Sequence, residues 1–329
     1  MPRAGSSALQ DFCRLNVDLL SKSGVAYPQL PRLCSKKFAA AACNGADFSY
    51  YICNDPGLLR RGREGLAPVI ETLRTVQASH VIVSSEFFFG APADRLATVR
   101  DAFKDAGLPL RVYLYLREPY EWLVSCYAQY VKSRDLTVDV NEYLLGTLPE
   151  MRVAGATGDL HDVFGREFEL ALYDRDQLKG HDICSDFFGR VGVELGPFEN
   201  PSDVNASANA IEIEVLRHFN RLIEHGLWSR RNSRGFLRFA KKGRVEGPPI
   251  GRFVRQEVEE AVRRRADEEV AEIKARFFPD LGRPLFKRPA TTDRLSLDDF
   301  NESKLLRAIV GSMLSVVHPG KQEAKAKTP

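Results

Sequence analysis

The clearest hydrophobic signal lies in Leu110–Lys132, LRVYLYLREPYEWLVSCYAQYVK. Val112, Tyr113, Leu114, Tyr115 and Leu116 form a nearly unbroken apolar run, the pattern of a strand buried on both faces of a parallel sheet. Pro119 then suits the first turn of a helix, where its missing N–H costs nothing. His80–Glu86 (HVIVSSE) and Phe168–Tyr173 (FELALY) read as two further buried strands. Between them the spacing turns helical. Leu66–Gln77 places Val69, Ile70, Leu73 and Val76 on one side, and Pro92–Ala106 is closed by Gly107. Short helices are predicted over Val138–Leu145 and Leu160–Phe164, and Leu33–Ala42 also reads as helical. Cys43–Gly65, rich in Gly, Asn, Asp and Arg, reads as an irregular connection. Asn209–His225 carries a stripe of Ile213, Leu216, Phe219 and Ile223. Arg252–Phe277 is a long charged helix, and Ser296–Val317 a last one. Strands alternating with helices predict an α/β fold with a parallel sheet, followed by a helical C-terminal part.

Composition narrows the class without deciding the function. The 329 residues suffice for one large α/β domain, with 44% hydrophobic residues and a net charge of only +3. That balance does not suggest a nucleic-acid binder. The basic residues do cluster, in Ser229–Gly251, which holds Arg230, Arg231, Arg234, Arg238, Lys241, Lys242 and Arg244. Its Gly and Pro argue against one regular element, and a solvated basic loop competes with a lid over an anion. Cysteines at 13, 34, 43, 53, 126 and 184 form no CxxC and imply free thiols in a reducing compartment. No integral membrane segment and no signal-peptide core is visible, so the expected location is cytoplasmic. The Lys-rich end, residues 319–329, reads as a disordered tail.

Three places carry candidate chemistry. Arg117 falls where the Val112–Leu116 strand should end, and Ser125 follows on the next helix. An Arg fork beyond a strand and a hydroxyl on the following helix make a plausible phosphate site; most matches to the bare pattern are a surface Arg and an incidental Ser, and the strand–turn–helix placement with Pro119 raises this one. Met1–Gln10, MPRAGSSALQ, is a Gly–Ser–Ser turn entering a helix, where free N–H groups and the helix dipole favour an anion. A disordered terminus with a Ser cap is the competing reading. Glu86 stands at a strand's carboxyl end, either as a base or as a first-turn acid behind a Ser84 or Ser85 cap. Trp122, Tyr127 and Tyr130, at helical spacing, are assigned to the core.

Arg117, Pro119, Ser125 and Tyr127 resemble the 3′-phosphate-binding segment of sulfotransferases, the enzymes that use 3′-phosphoadenosine 5′-phosphosulfate. Pro2, Gly5, Ser7, Leu9 and Gln10 match the family's 5′-phosphosulfate loop, and Ser6 keeps a hydroxyl. Arg3 replaces the family's Lys, and Ala4 a Thr. Arg keeps the positive charge as a planar fork instead of a point donor. Tyr173, Asp174, Leu178, Phe187, Phe188 and Gly189 fill places in a later strand–helix segment of the family.

The resemblance implies a three-layer P-loop-like fold, with a central parallel sheet flanked by helices. Residues 1–200 would form the sulfotransferase-like core, and 201–318 a helical part packed on the same domain. The family's strand before the loop has no counterpart here, so the expectation is a start further upstream or a fragment. The implied reaction moves a sulfuryl group to a hydroxyl or amine of a small-molecule or glycan acceptor, without a metal. Arg3, Ala4, Gly5, Ser6 and Ser7 would hold the 5′-phosphosulfate, and Arg117 and Ser125 the 3′-phosphate. Arg3 and Glu86 would act in catalysis, with Glu86 as base. The rival readings are a non-catalytic nucleotide- or partner-binding descendant and a P-loop phosphotransferase, which would want a full GxxxxGK[ST] loop.

Overall fold

A computed structural model describes residues 1–33, 43–54, 61–194, 208–239, 247–288 and 294–295. It is an α/β chain with small parallel sheets and a helical C-terminal part. Two compact units interleave along the sequence. The first comprises Met1–Trp122, Arg152–Asn205 and Ala266–Lys287, and the second Leu123–Met151, Ala206–Arg265 and Arg288–Pro329. The expected Leu33–Ala42 helix (apart from Leu33), the Ser296–Val317 helix, the 319–329 tail, Cys34, Lys241, Lys242 and Arg244 lie outside the described residues.

The first unit holds every described strand. Strand β1 (Val25–Ala26) pairs parallel with β2 (His80–Val81), and β3 (Val112–Leu116) pairs parallel with β4 (Phe168–Leu172). The β3 run is buried as its pattern requires, with Leu116 fully enclosed. The tyrosine amide of Tyr173 extends its ladder by donating to the Leu116 carbonyl at 2.7 Å. The expected strand over His80–Glu86 stops at Val81 for a local reason. Asn44 takes the ladder positions beyond it, donating to the Ile82 carbonyl at 2.8 Å and accepting from the Ser84 amide at 2.9 Å. The described strands therefore form two separate pairs, not one continuous sheet.

Helix α1 (Ser6–Leu15) packs on α9 (Ile183–Val191), Phe12 lying 5.4 Å from Phe188 between ring centroids. It ends at Asn16, whose side-chain amide bonds back to the Phe12 carbonyl, and α2 (Val17–Lys22) follows. The supposedly irregular Cys43–Gly65 contains α3 (Ala46–Asn54), which buries Phe48, Tyr51 and Ile52 on one face. Flanking Gly and Asn residues masked that period. Helix α4 (Ala67–Thr75) and α5 (Ala93–Asp105) match their expected segments. Leu160–Phe164 is the end of a longer α8 (Val153–Phe164), whose first turn of small residues gave no apolar signal. The buried Glu269 carboxylate accepts from the Ala154 amide at the start of α8, where the helix dipole favours an anion.

Helix α6 (Pro119–Ser133) begins in the first unit and continues into the second. There it is followed by α7 (Val140–Thr147), α10 (Ala210–Glu224), α11 (Arg230–Phe239) and the start of α12 (Gln256–Phe277). Tyr127 is fully buried, 5.5 Å from Tyr143, so it belongs to the core as expected. Asn209 and Glu212 close a reciprocal capping box at the start of α10. Phe219 stacks on Trp228 at 4.7 Å and meets Phe236 edge-on. The basic segment is thus partly regular. Residues 230–239 form a helix, whose Phe236 side chain is fully buried. Buried polar side chains tie down the loops: Asn220 donates to the Val131 and Leu136 carbonyls, and Asn141 accepts from the Arg255 amide at 2.8 Å.

One buried carboxylate binds several parts of the first unit. Asp186 on α9 accepts from the Tyr115 hydroxyl at 2.7 Å, the Arg190 guanidinium at 2.6 Å and the Lys179 amide at 3.0 Å. Burial opposes its charge, but the hydrogen bonds from Arg190, Lys179 and Tyr115 prevail and hold its pKa below the ordinary carboxylate value of 3.8. A depressed folded pKa stabilises the fold above the unfolded value, and that gain is lost as pH falls through the folded one. Asp186→Asn should therefore cost about 1.5–3 kcal/mol in urea unfolding at pH 7. The gap from the parent protein should hold at pH 5 and close progressively below about pH 4. A gap independent of pH would remove the carboxylate's charge from the account.

Candidate functional site

The loop before α1 has an unusual backbone. Arg3 (φ 61°) and Gly5 (φ 83°) both sit in the left-handed region, on either side of the buried Ala4. Such turns aim successive amides outward and form anion-binding hollows. Gly5 is the residue before the helix and offers no side-chain cap, so the amides of the first turn are open to an external acceptor. Its lack of a side chain is forced twice. The positive φ disfavours any other residue, and a Cβ would lie 2.7 Å from Tyr173 Cε2 and 2.9 Å from Ile183 Cγ1. Ser6 is half-buried and Ser7 exposed at the helix start.

Arg117 stands just beyond β3, as its pattern predicts. Its guanidinium donates to the Arg3 carbonyl at 3.3 Å, and its amide lies 3.2 Å from the Met1 sulfur. The strand-end Arg and the glycine loop are therefore neighbours, although 114 residues separate them. A second nitrogen of Arg117 pairs with Glu121 Oε2 at 3.6 Å, one helical turn on. That partner escaped the sequence reading, because Arg117 precedes the helix that carries Glu121. Glu118 opens the helix, its carboxylate accepting from the Glu121 amide at 2.7 Å. Ser125 is half-buried on the same helix and falls in the second unit. The described partners of Arg117 are all in the first.

Glu86 occupies the first position of a short 3-10 turn, Glu86–Phe88. Ser85 caps that turn, accepting from the Phe87 amide at 3.2 Å. Of the two sequence readings, the capped first turn describes its backbone. Its position still brings it to the loop: Glu86, Met1, Ala4, Gly5 and Ser6 line one cavity of about 890 Å³. Burial pushes the Met1 amine down to about 5, and the Glu86 charge acts against that fall. Gln10 reaches across from α1 to donate to the Ser84 hydroxyl at 3.1 Å, fixing the Ser84–Glu86 segment to the loop. Trp122 packs edge-on against Phe89, which extends the same wall.

The structure thus gathers Arg3, Ala4, Gly5, Ser6, Ser7, Arg117 and Glu86 in the first unit, and places Ser125 in the other. Among the described residues no group of three His, Cys, Asp or Glu side chains is placed to hold a metal ion. No described helix is long and apolar enough to cross a membrane. Burial pushes the Cys13 thiol up to about 12, and Cys184 is raised as well, which suits packing rather than nucleophilic chemistry. No family model, curated protein or solved structure matches the chain.

Replacing Gly5 tests the loop directly. Gly5→Ala should cost about 1–3 kcal/mol in stability, from the left-handed backbone and the contact with Tyr173 together. Thermal unfolding at neutral pH measures it. A neutral substitution would mean that the loop does not hold this conformation in solution.

Proposed function

We propose that the chain is a sulfotransferase-like protein on a P-loop-like α/β scaffold. Its substrate would be 3′-phosphoadenosine 5′-phosphosulfate, with a hydroxyl or amine acceptor. The observation that carries this reading is the contact between the Arg117 guanidinium and the Arg3 carbonyl. It sets the phosphate-binding Arg of the resemblance against the glycine loop of the resemblance, which composition alone does not require.

In this reading the amides of Ser6 and Ser7 and the charge of Arg3 receive the 5′-phosphosulfate. Arg117 takes the 3′-phosphate, exchanging its weak half-exposed pairing with Glu121 for a doubly charged partner. Ser125 belongs to the resemblance but contributes no further support. In the transfer, the acceptor oxygen or nitrogen attacks sulfur, and the bond from sulfur to the bridging oxygen breaks. The 5′-phosphate leaves as the bisphosphate, while Glu86 accepts the acceptor's proton. Arg3 would steady charge on the leaving oxygen. The second reading, binding without transfer, draws on Arg3 itself, whose left-handed backbone and planar head differ from a Lys point donor.

Calorimetric titration with 3′,5′-adenosine bisphosphate and with magnesium–ATP separates these readings. The bisphosphate should bind and ATP should bind more weakly; the reverse order would sink the proposal in favour of a phosphotransferase. Arg117→Ala should weaken bisphosphate binding about 10- to 100-fold, the worth of charged hydrogen bonds to one phosphate. Glu86→Gln should leave that affinity intact and lower sulfate transfer by about 10²- to 10⁴-fold in an acceptor screen with labelled donor. Binding without transfer to any phenol, glycan or amine would select the non-catalytic reading.

A further inference from the structure

The turn between α10 and α11 carries a side chain that the surrounding fold does not use. Helix α10 ends in the two hydrogen bonds of a Schellman motif. Gly226, at φ 71°, donates to the Ile223 carbonyl at 3.0 Å, and Leu227 donates to the Leu222 carbonyl at 2.8 Å. An apolar residue at the position of Leu227 commonly packs back on its own helix. Leu227 is instead 72% exposed, more than any other large apolar residue among those described. One exposed Leu is ordinary on a protein surface. This one differs in its mounting: the motif fixes its backbone on one side, and on the other Trp228 stacks on Phe219 at 4.7 Å.

Helix α11 supplies charge beside it. Leu227 to Phe239 contains four arginines and no acidic residue. At about 100° per residue, helix positions 230, 231, 234 and 238 fall within one arc of about 100°. Phe236 lies on the opposite side, fully buried, its ring 5.6 Å from that of Phe219. The arc therefore faces away from the core, and Arg230 and Arg234 are exposed. Arg230 pairs with Asp135. Positions three and four apart on a helix are neighbours, so like charges along the arc repel and weaken the helix. An external array of negative charge relieves that repulsion.

Charge and apolarity together narrow the partner. A nucleic acid would satisfy the arginine arc but leave Leu227 in water, and the ring nearest to it, Trp228, already has a face taken by Phe219. An anionic lipid bilayer meets both requirements. Its headgroups match the arginines, and the acyl boundary just beneath accepts an apolar side chain. Leu227 and Arg230 are three residues apart, within about 11 Å along the chain. That span suits a Leu reaching about 5–10 Å into the headgroup boundary while the arginines stay at its surface.

We propose that Leu227 and the arginine arc of α11 form a docking surface for an anionic lipid bilayer. Leu227 enters the headgroup–acyl boundary, and the arginines pair with lipid phosphates and carboxylates. The docking is peripheral and reversible, because a single apolar side chain and a few charges hold it. The proposal is independent of the nucleotide reading, because it needs none of Arg3, Arg117 and Glu86.

The test is co-sedimentation of the full chain with vesicles. At about 0.1 M salt it should bind phosphatidylcholine vesicles containing about 30% phosphatidylserine, and bind phosphatidylcholine alone far more weakly. Leu227→Ser should lower the partition coefficient about 5- to 10-fold. Its thermal unfolding should match the parent's, since the exposed side chain has little packing to lose. Arg231→Gln and Arg238→Gln together should lower partitioning about 25-fold and flatten its dependence on salt. Absence of binding to the anionic vesicles would overturn the proposal. So would binding that the arginine variants weaken and Leu227→Ser does not, because charge alone then accounts for it. Displacement of the vesicles by duplex DNA, with Leu227→Ser binding the duplex as tightly as the parent, would assign the surface to nucleic acid and likewise overturn it.

Discussion

The backbone ladder along β3 is the constraint from which the first unit is built. Its even-numbered residues face β4, and its odd-numbered residues face Met1 and the cavity. Leu116 and Tyr115 thus join three distant parts of the chain by adjacent carbonyls. Directly beyond them Arg117 leaves the strand with its side chain against the Arg3 carbonyl. The Tyr115 hydroxyl adds a fourth tie, to Asp186 and through it to Arg190 and Glu169. The glycine loop before α1 leans on these neighbours. The left-handed backbone of Arg3 costs energy that Gly5 is spared, and the contacts of Met1, Gln10 and Ala4 with these neighbours hold the loop in place.

Local chemistry was legible where it is carried by neighbouring residues. The Val112–Leu116 strand announced itself by an unbroken apolar run, Pro119 marked the following helix, and Asn209 marked the start of α10. What the sequence concealed is non-local. Nothing near Ile82 indicates that Asn44 will end the ladder there. Nothing near Ser125 indicates that its helix passes into a different compact unit. The α3 helix was hidden by its polar and glycine-rich flanks, and α11 by a density of Arg that outweighs its buried Ser233 and Phe236 in any running average. The candidate site residues were singled out by their places at element ends and by the resemblance. Their meeting depends on tertiary structure, as the contact between Arg3 and Arg117 illustrates.

Charge around Arg117 has an internal balance. Glu121 offers it a loose partner at 3.6 Å, with both side chains part-exposed. Such a pair contributes little to stability, and it keeps the guanidinium oriented near the loop. Glu121 sits in the first turn of α6, so this orientation comes from the start of the helix and needs no bound anion.

The interleaving of the units sets an order on the chain's birth. The first unit is closed by Ala266–Lys287: Glu269 caps α8, Phe277 packs on Phe168 at 6.1 Å, and the Leu285 carbonyl receives Gln177. A ribosome adds about 5–20 residues each second, so β3 and β4 wait several seconds or more for these contacts. During that interval their apolar surfaces and open edges are exposed to whatever else is in solution. The nascent chain, more than the finished one, is the state that exposes this apolar surface.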